Sequence, residues 1–340
     1  MNGHDEFILR TTNFIDWTRF MNKTIYITGA TGLIGSNLVE ALLLVPFVHV
    51  VVQVRNELKA KKMFGNRVEY YICDLVHKID YSGKVDYIIH CANPTSSLFF
   101  VNNPVETIET TVDGTKNVLE FSKEKRAIVV LLSTMEVYGF PQKGHIVKEN
   151  EGGSFDSLVV RNCYPLSKQI CENLCAAYYS EYGVHTRVLR LTQTFGPGVS
   201  YNDSRVFAEF ARCAIERKDI ILKTSGETER SYLYTIDAIL AILIVLLKGR
   251  DGEAYTAANE NTFCSILDMA NLVASISGIN VVIKEQNISK MGYVGTLHMN
   301  LSTEKLKNLG WKAQVGLKEM YQNLIRDMIK KQQNGNLQNL

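Results

Sequence analysis

The amino-acid sequence predicts an α/β fold built on a doubly wound parallel sheet, with a smaller lobe towards its C-terminal end. Apolar, Val/Ile-rich strand patterns alternate with helical patterns through residues 24–191, as in parallel sheets covered by helices on both faces. The first strand is followed by Gly29, Gly32 and Gly35, the spacing of a strand-to-helix turn that approaches a pyrophosphate. Together these observations predict a Rossmann-type dinucleotide-binding domain.

Composition and charge limit the alternatives. The chain has 340 residues, 46% of them hydrophobic and 21% charged, which is ordinary for a globular protein. Its formal net charge of +2 gives no reason to expect a nucleic acid as partner. The longest apolar run, residues 238–247, is too short to span a bilayer, so we expect no membrane insertion. The polar N-terminus and the seven cysteines, which form no C-x-x-C pair, favour a cytoplasmic protein without a metal site.

The strand and helix patterns follow one another in the order that this fold requires. Predicted strands cover residues 25–27, 47–54, 68–73, 85–90, 127–132, 184–191 and 253–257. Predicted helices cover residues 33–44, 105–123, 203–217, 236–247, 265–277 and 317–330, and residues 193–198 are predicted to form a loop.

These elements suggest a division of the chain. We expect a dinucleotide-binding domain over residues 23–194, to which residues 236–262 return, and a substrate-binding lobe over residues 195–235 and 263–330. Residues 1–22 form an N-terminal extension, either a short helix packed on the body through apolar residues such as Phe7, Ile8 and Leu9, or a disordered tail. The Gln/Asn-rich tail, residues 331–340, is expected to fray.

The glycine turn predicts the first part of a cofactor site. Gly29 permits the tight turn, Gly32 lets backbone amides approach the phosphates, and Gly35 lets the helix pack against the sheet. The positive N-terminal end of the helix then faces the phosphates. Further cofactor contacts are expected from Thr31, Leu33 and Ile34 in the turn, and from Asp74, Leu75, Cys91, Ala92 and Asn93 after the third and fourth strands.

The end of the second strand bears on the choice between NAD and NADP. An acidic residue there would bind the adenosine ribose and select NAD, but the strand ends Gln53-Val54-Arg55-Asn56. Arg55 can pair with a 2′-phosphate, which favours NADP, although an arginine there can also stack on adenine or face solvent. The cofactor is therefore expected to be NAD or NADP.

Hydroxyl, phenol and ammonium groups follow the fifth strand. Ser133 and Thr134 lie at its carboxyl end, where doubly wound sheets bind ligands. Tyr164 and Lys168 are four residues apart and so share one face of a helix. A nearby ammonium is expected to lower the pKa of the phenol towards neutrality, and such a tyrosine can act as general base or acid at a sugar hydroxyl or ketone.

On these residues the chain resembles an extended short-chain dehydrogenase/reductase of the nucleotide-sugar epimerase/dehydratase family. The resemblance covers about residues 22–330 and rests on TGATGLIG at 28–35, HCANP at 90–94, STMEVYG at 133–139, Tyr164 with Lys168, FGPG at 195–198 and ERSYLYTIDA at 229–238. Residues 90–119 and 201–210 are similar to the UDP-glucuronate decarboxylase branch of that family.

The resemblance implies roles for individual residues. Thr134, Tyr164 and Lys168 match the catalytic hydroxyl, base and lysine, and Glu136 matches a glutamate of the decarboxylases and 4,6-dehydratases. Ser133, Tyr164 and Lys168 would also contact the cofactor. Substrate contacts are implied for Asn93, Gln193, Arg205 and Arg230, and a homodimer through the helix after Val105 and the Tyr164 helix.

The chain also departs from the family pattern. Met135 stands where 4,6-dehydratases carry an aspartate and decarboxylases usually carry a serine, which disfavours a 4,6-dehydratase. Thr111 and Gln193 stand where the family usually has asparagine. We expect an NAD(P)-dependent enzyme that oxidises a nucleotide-diphosphate sugar at C4, of epimerase or decarboxylase type. An NADPH-dependent reductase of a keto sugar or pentulose and a non-catalytic dinucleotide sensor are the alternatives.

Overall fold

The fold is taken from a computed structural model, which describes residues 14–286 and 296–337. Phe7, Ile8 and Leu9 of the N-terminal extension lie outside the described residues. Within the extension, Asp16 caps a short 3-10 helix, Trp17–Phe20, by accepting a hydrogen bond from the backbone N–H of Thr18. The side chain of Phe20 is completely buried against the body of the protein.

Seven parallel strands form the central sheet, which confirms the predicted doubly wound fold. Their spatial order is β3-β2-β1-β4-β5-β7-β11, so the chain reverses direction across the sheet between β1 and β4. In doubly wound sheets ligands bind at the carboxyl edge beside such a reversal. The strands are β1 (Thr24–Thr28), β2 (His49–Val54), β3 (Glu69–Ile72), β4 (Tyr87–His90), β5 (Ile128–Thr134), β7 (Thr186–Leu191) and β11 (Glu253–Ala257).

Helices cover both faces of this sheet. Successive strand residues point to opposite faces, and those on both faces are apolar. Ile25 and Ile27 of β1 share one buried cluster with α1 and α7, whereas Tyr26 belongs to the opposite cluster with α4 and α5. The helices are α1 (Leu33–Leu42), α2 (Glu57–Phe64), α3 (Ser97–Asn102), α4 (Pro104–Lys125), α5 (Cys163–Tyr182), α6 (Val206–Glu216), α7 (Thr235–Lys248), α8 (Ile266–Ser277), α9 (Glu304–Lys307) and α10 (Leu317–Leu337).

A second, smaller sheet is built from later parts of the chain. Its order is β12-β10-β14-β6, and β8 also pairs with β10. A separate pair joins β9 to β13. The strands are β6 (Ile146–Val147), β8 (Gln193–Phe195), β9 (Ile220–Leu222), β10 (Glu229–Tyr234), β12 (Asn259–Ser265), β13 (Val281–Ile283) and β14 (His298–Leu301).

Helix α7 carries the longest apolar run of the sequence. Residues 235–246 are all buried, so other parts of the protein surround the helix on every side. This burial explains why the helix is apolar around its whole circumference. Its one carboxylate, Asp237, is fully buried and accepts hydrogen bonds from the backbone N–H groups of Gln314 and Val315. In the parts of the chain that the structure describes, no helix combines the length and the apolarity that crossing a bilayer requires.

Several predicted boundaries need correction. The second strand begins at His49 instead of Phe47, because Phe47 has a φ of 60° and a side chain 76% exposed in the preceding turn. The predicted loop at 193–198 begins as strand β8, because Gln193–Phe195 pairs with β10. The prediction that residues 331–340 fray is wrong for residues 331–337, because α10 continues to Leu337. Helices α2 and α3 were not predicted.

Candidate active site

The glycine turn between β1 and α1 brings two backbone segments into close contact. Gly29 has a φ of +66°, and a Cβ there would lie 2.6 Å from the backbone nitrogen of Ala92. A Cβ at Gly35 would lie 2.3 Å from the carbonyl oxygen of Gly29. Gly32 caps α1 without a side-chain hydrogen bond, and the first turn of α1 holds no acidic residue. The α1 amides are therefore not occupied by a capping side chain, and the end of the helix stays positive.

A chain of buried hydrogen bonds holds the segment after β4 against this turn. The backbone N–H of Ala92 donates to the hydroxyl of Thr28, which lies 2.8 Å from Nδ1 of His90. The other ring nitrogen, Nε2, lies 3.2 Å from the hydroxyl of Thr115, which itself donates to the carbonyl of Thr111. Burial lowers the pKa of His90 to about 3, so its ring is neutral at physiological pH.

The donor and the acceptor of each hydrogen bond in this series can be assigned. Because Thr115 uses its proton on Thr111, its oxygen must accept from Nε2–H of His90. Nδ1 of His90 then accepts from Thr28, whose oxygen accepts from Ala92. Thr111, which departs from the family pattern, lies in α4, and its carbonyl accepts the last hydrogen bond of this series. Its own hydroxyl donates to the carbonyl of Thr107.

The two charged residues predicted for the adenosine side pair with each other. Nη1 of Arg55 lies 3.7 Å from the carboxylate of Asp74, and both side chains are substantially exposed. Gln53 is buried, accepting from Tyr26 and donating to the carbonyl of Cys73, so it faces away from solvent. Leu75, predicted to contact the cofactor, is buried and packs against Gly114 of α4.

The carboxyl end of β5 meets helix α5, as the sequence predicts. The ammonium of Lys168 is 1% exposed and donates to the carbonyl of Leu132 at 2.8 Å. The hydroxyl of Thr134 accepts from the backbone N–H of Glu136 and lowers the pKa of the Tyr164 phenol, so the two side chains are neighbours. Ser133 instead donates to the carboxylate of Glu172 at 2.5 Å, so its hydroxyl is turned away from the phenol. Thr134, Tyr164 and Lys168 are thus brought together at the carboxyl edge of the sheet.

The expected depression of the Tyr164 pKa is wrong for this arrangement. Burial raises the pKa of the phenol well above its ordinary value, and the negative charge of Glu136 raises it further. The hydrogen bond from Thr134 and the positive charge of Arg161 lower it. The ammonium of Lys168 is itself buried, which lowers its pKa, and it is directed at the carbonyl of Leu132.

A cation that the sequence analysis missed lies in the centre of the site. Nη2 of Arg161 is 3.1 Å from the carboxylate of Glu136, and the guanidinium lies over the ring of Phe100 at 5.0 Å. Phe100 in turn stacks on the ring of Tyr164, with centroids 4.3 Å apart and an interplanar angle of 7°. The sequence held one indication of this residue: Arg161 precedes Tyr164 by only three residues, at the start of α5.

The predicted substrate residues fall into two groups. Nη1 of Arg230 lies 3.4 Å from the amide oxygen of Gln193, so β8 and β10 bring these two together. The sulfur of Met135 is 3.2 Å from the hydroxyl of Thr192. This contact links the residue before Gln193 to the turn that carries Glu136. Arg205, in contrast, forms a bidentate pair with Asp203 at the start of α6, where its guanidinium lies over the ring of Phe207.

Met135 occupies a buried apolar environment. Its side chain is 6% exposed and packs in a cluster with Val137, Tyr138 and Met299. An ionisable group at this position would need a buried partner. The carboxylate at this end of β5 belongs instead to the next residue, Glu136.

Three features of the site fit a dinucleotide. The glycine cradle leaves no room for a side chain between Gly29 and Ala92. The N-terminus of α1 has amides without a capping side chain. The side-chain oxygen of Asn93 is buried and has no hydrogen-bond partner among the described residues, so it is ready to accept one from a ligand.

Comparisons with known proteins agree with this fold. The model of the NAD dependent epimerase/dehydratase family matches residues 25–259. The chain is 32% identical to UDP-glucuronic acid decarboxylase 3 of Arabidopsis thaliana over 268 residues, which cover 77% of each chain. It is 31% identical to UDP-glucuronic acid decarboxylase 5 of the same plant over 303 residues, covering 88% of this chain and 87% of the relative.

Solved structures share the fold at lower identity. The UDP-glucose 4-epimerase of Thermotoga maritima, solved with UDP-glucose, aligns with a TM-score of 0.80 and 23% identity, covering 91% of this chain and 99% of that one. The dTDP-glucose 4,6-dehydratase of Bacillus anthracis, solved with NAD, aligns with a TM-score of 0.78 and 21% identity, covering 92% and 98%.

Proposed function

The chain belongs to the NAD dependent epimerase/dehydratase family, and we propose that it oxidises a nucleotide-diphosphate sugar at C4 to a 4-keto intermediate. The observation that carries this proposal is that Thr134, Tyr164 and Lys168 meet at the carboxyl edge of the sheet, where Lys168 donates to the carbonyl of Leu132 and Thr134 lowers the pKa of the Tyr164 phenol. The relatives at 31–32% identity are UDP-glucuronic acid decarboxylases, which makes a UDP-linked uronic acid the first substrate to test.

The proposed chemistry divides between proton and hydride. When bound, a nicotinamide dinucleotide supplies the acceptor for the C4 hydride. Tyr164 takes the proton of the C4 hydroxyl, and Thr134 donates a hydrogen bond at the same oxygen as it becomes a ketone. Because burial raises the pKa of Tyr164, the positive charge of an oxidised nicotinamide ring would favour the phenolate that this step needs.

Glu136 is proposed as the second acid or base, acting on the sugar after the ketone has formed. Arg230 is proposed to anchor an anionic group of the substrate, either phosphate or carboxylate. Its Nε is buried without a hydrogen-bond partner among the described residues, so it has a donor available. Gln193, 3.4 Å away, would orient this guanidinium. Asn93 and Arg205 are proposed as further substrate contacts.

For the cofactor, which the sequence gives as NAD or NADP, we propose NAD. The guanidinium of Arg55 lies 3.7 Å from the carboxylate of Asp74. A 2′-phosphate that approached Arg55 would also approach this carboxylate, and the repulsion would offset part of the attraction. Asp74 is able to accept a hydrogen bond from a ribose hydroxyl or an adenine amino group of NAD.

A homodimer through α4 and α5 is proposed as the assembly. The two helices pack on each other and expose apolar side chains, with Val105 65%, Ile108 43% and Ile170 49% accessible. Light scattering of the purified protein tests this assembly directly. A monomer at micromolar concentration would contradict it.

The function is tested with the purified full chain and UDP-glucuronate. Proton NMR distinguishes the outcomes, since decarboxylation breaks the C5–C6 bond and gives a UDP-pentose with carbon dioxide, whereas epimerisation gives the C4 epimer. Either product, formed without net change in NAD, supports the proposal. Stoichiometric consumption of added NADPH would favour the reductase alternative, and cofactor binding without turnover of keto or hydroxy sugars would favour the sensor.

A further inference from the structure

The phenol ring of Tyr164 is one of three planar groups that contact one another in a row. The guanidinium of Arg161 lies over one face of the Phe100 ring at 5.0 Å from its centroid. Phe100 stacks against the ring of Tyr164 at 4.3 Å, nearly parallel. Phe100 is 1% exposed, so this stack is enclosed and the cation–π contact is stronger than it would be in water.

The same guanidinium holds the carboxylate of the turn after β5. Nη2 of Arg161 reaches both oxygens of Glu136, at 3.1 and 3.4 Å. The side chains are 14% and 27% exposed, respectively, so the pair is mostly shielded from solvent. The backbone of Glu136 is fixed independently, because its N–H donates to the hydroxyl of Thr134. Arg161 therefore contacts Glu136 and Phe100 at once, and through Phe100 it reaches Tyr164.

We infer that Arg161 is a positioning residue of this site: it holds Glu136 beside Tyr164, clamps Phe100 on the Tyr164 ring, and balances the carboxylate charge that the phenol experiences. This inference rests on the proposed function, in which Tyr164 is the base and Glu136 the second acid or base. Nothing in the family resemblance assigned a role to this arginine.

The charges around Tyr164 give the inference a signed consequence. Glu136 raises the pKa of the phenol and Arg161 lowers it, while Cys171 on α5 raises it slightly. Lys168, on the same helix, directs its ammonium to the carbonyl of Leu132. Helix α3, which supplies Phe100, contains no ionisable side chain. Removing Arg161 should therefore raise the pKa of Tyr164, and removing the charge of Glu136 should lower it.

The test measures the pH profile of kcat/KM in Arg161→Met, Arg161→Lys and Glu136→Gln. The limb that reports deprotonation of Tyr164 should move to higher pH in Arg161→Met, by about one pH unit, and to lower pH in Glu136→Gln. Arg161→Lys keeps the charge and should keep the limb near its wild-type position. Equal positions of the limb in Arg161→Met and the wild type would overturn the inference.

A second readout needs no substrate. The phenolate absorbance of each variant is titrated at alkaline pH, and the same variant carrying Tyr164→Phe is subtracted, so that only Tyr164 contributes. The same opposite shifts are expected, and their absence would overturn the inference. If the shifts are found but the wild type turns over no nucleotide sugar, the proposed function fails while Arg161 still balances the charge at Tyr164.

The chain offers a matched control pair remote from these residues. Arg67 forms a bidentate ion pair with Glu40, both N–O distances being 2.6 Å. Arg67→Met removes an arginine from a carboxylate in the same way, and it should leave both the pH profile and the Tyr164 titration unchanged. A shift in this control equal to that of Arg161→Met would show a general effect of lost charge and would refute the positioning role.

Discussion

The close approach at Gly29 yields a prediction that separates backbone strain from ligand binding. Gly29 and Gly278 both have a φ of +66°. A Cβ at Gly278, the residue that ends α8, meets nothing within 4 Å, whereas a Cβ at Gly29 meets the backbone of Ala92 at 2.6 Å and of Cys91 at 2.9 Å. Gly278→Ala is therefore a matched control for Gly29→Ala.

The expected magnitudes follow from this difference. An alanine in the left-handed region costs about 1–2 kcal/mol at either position. At Gly29 the backbone of residues 91 and 92 must also move, because Cβ atoms essentially never come closer than 3.0 Å to another heavy atom. We expect a total loss of about 3–5 kcal/mol there, in the range of strongly destabilising substitutions. For 340 residues, about 1.4 °C of melting temperature is lost per kcal/mol.

The assay combines thermal unfolding with titration of NAD. Gly278→Ala should melt about 1–3 °C lower and bind NAD with unchanged Kd. Gly29→Ala should melt further below the wild type, and its Kd for NAD should rise at least about tenfold, because the displaced turn carries the α1 amides. Wild-type affinity for NAD in Gly29→Ala would refute the assignment of this turn to the cofactor, and equal melting losses in the two variants would refute the steric argument.

Three further outcomes are expected. Tyr164→Phe should lower kcat by about 10²–10⁴-fold, with Kd for NAD nearly unchanged, in single-turnover and binding assays; wild-type turnover would exclude Tyr164 as the base. Asp74→Asn should improve the affinity for NADP relative to NAD, measured by titrating both cofactors, since it removes the carboxylate beside Arg55; an unchanged ratio would contradict our account of selectivity. Burial lowers the pKa of His90 from its ordinary value of 6.5 to about 3, so the fold keeps its full stability above pH 6.5 and loses part of it as the pH falls from 6.5 towards 3. The unfolding free energy of His90→Gln should therefore depend less on pH over this window in urea titrations, and parallel curves would contradict the buried neutral ring.

The sequence predicted the elements that local pattern determines. The glycine turn and the alternating apolar runs placed β1, α1 and the parallel sheet, because a buried strand and an amphipathic helix are each visible in their own residues. The Tyr164 and Lys168 pair was predicted in the same way, from helical spacing. Strand β8 was missed because its pairing with β10 depends on residues about forty positions later.

The residues missed at the site are those whose roles arise from tertiary contact. Phe100 and Arg161 come from different segments, and only the fold stacks them on Tyr164. The pKa of the phenol depended on where Lys168 directs its ammonium, which helical spacing alone does not specify. Likewise, the sequence alone did not show that Asp74, which follows β3, lies 3.7 Å from Arg55.

The buried carboxylate of Asp237 has a consequence for how the chain acquires its structure. Its acceptors are satisfied by the backbone of Gln314 and Val315, which are synthesised 77 and 78 residues later. During translation, helix α7 and most of its apolar partners therefore emerge before these two amides, and the carboxylate of Asp237 stays hydrated until they are available. The late segment at residues 314 and 315 therefore completes the surroundings of the first turn of α7, and the core around this carboxylate cannot close before that segment has been made.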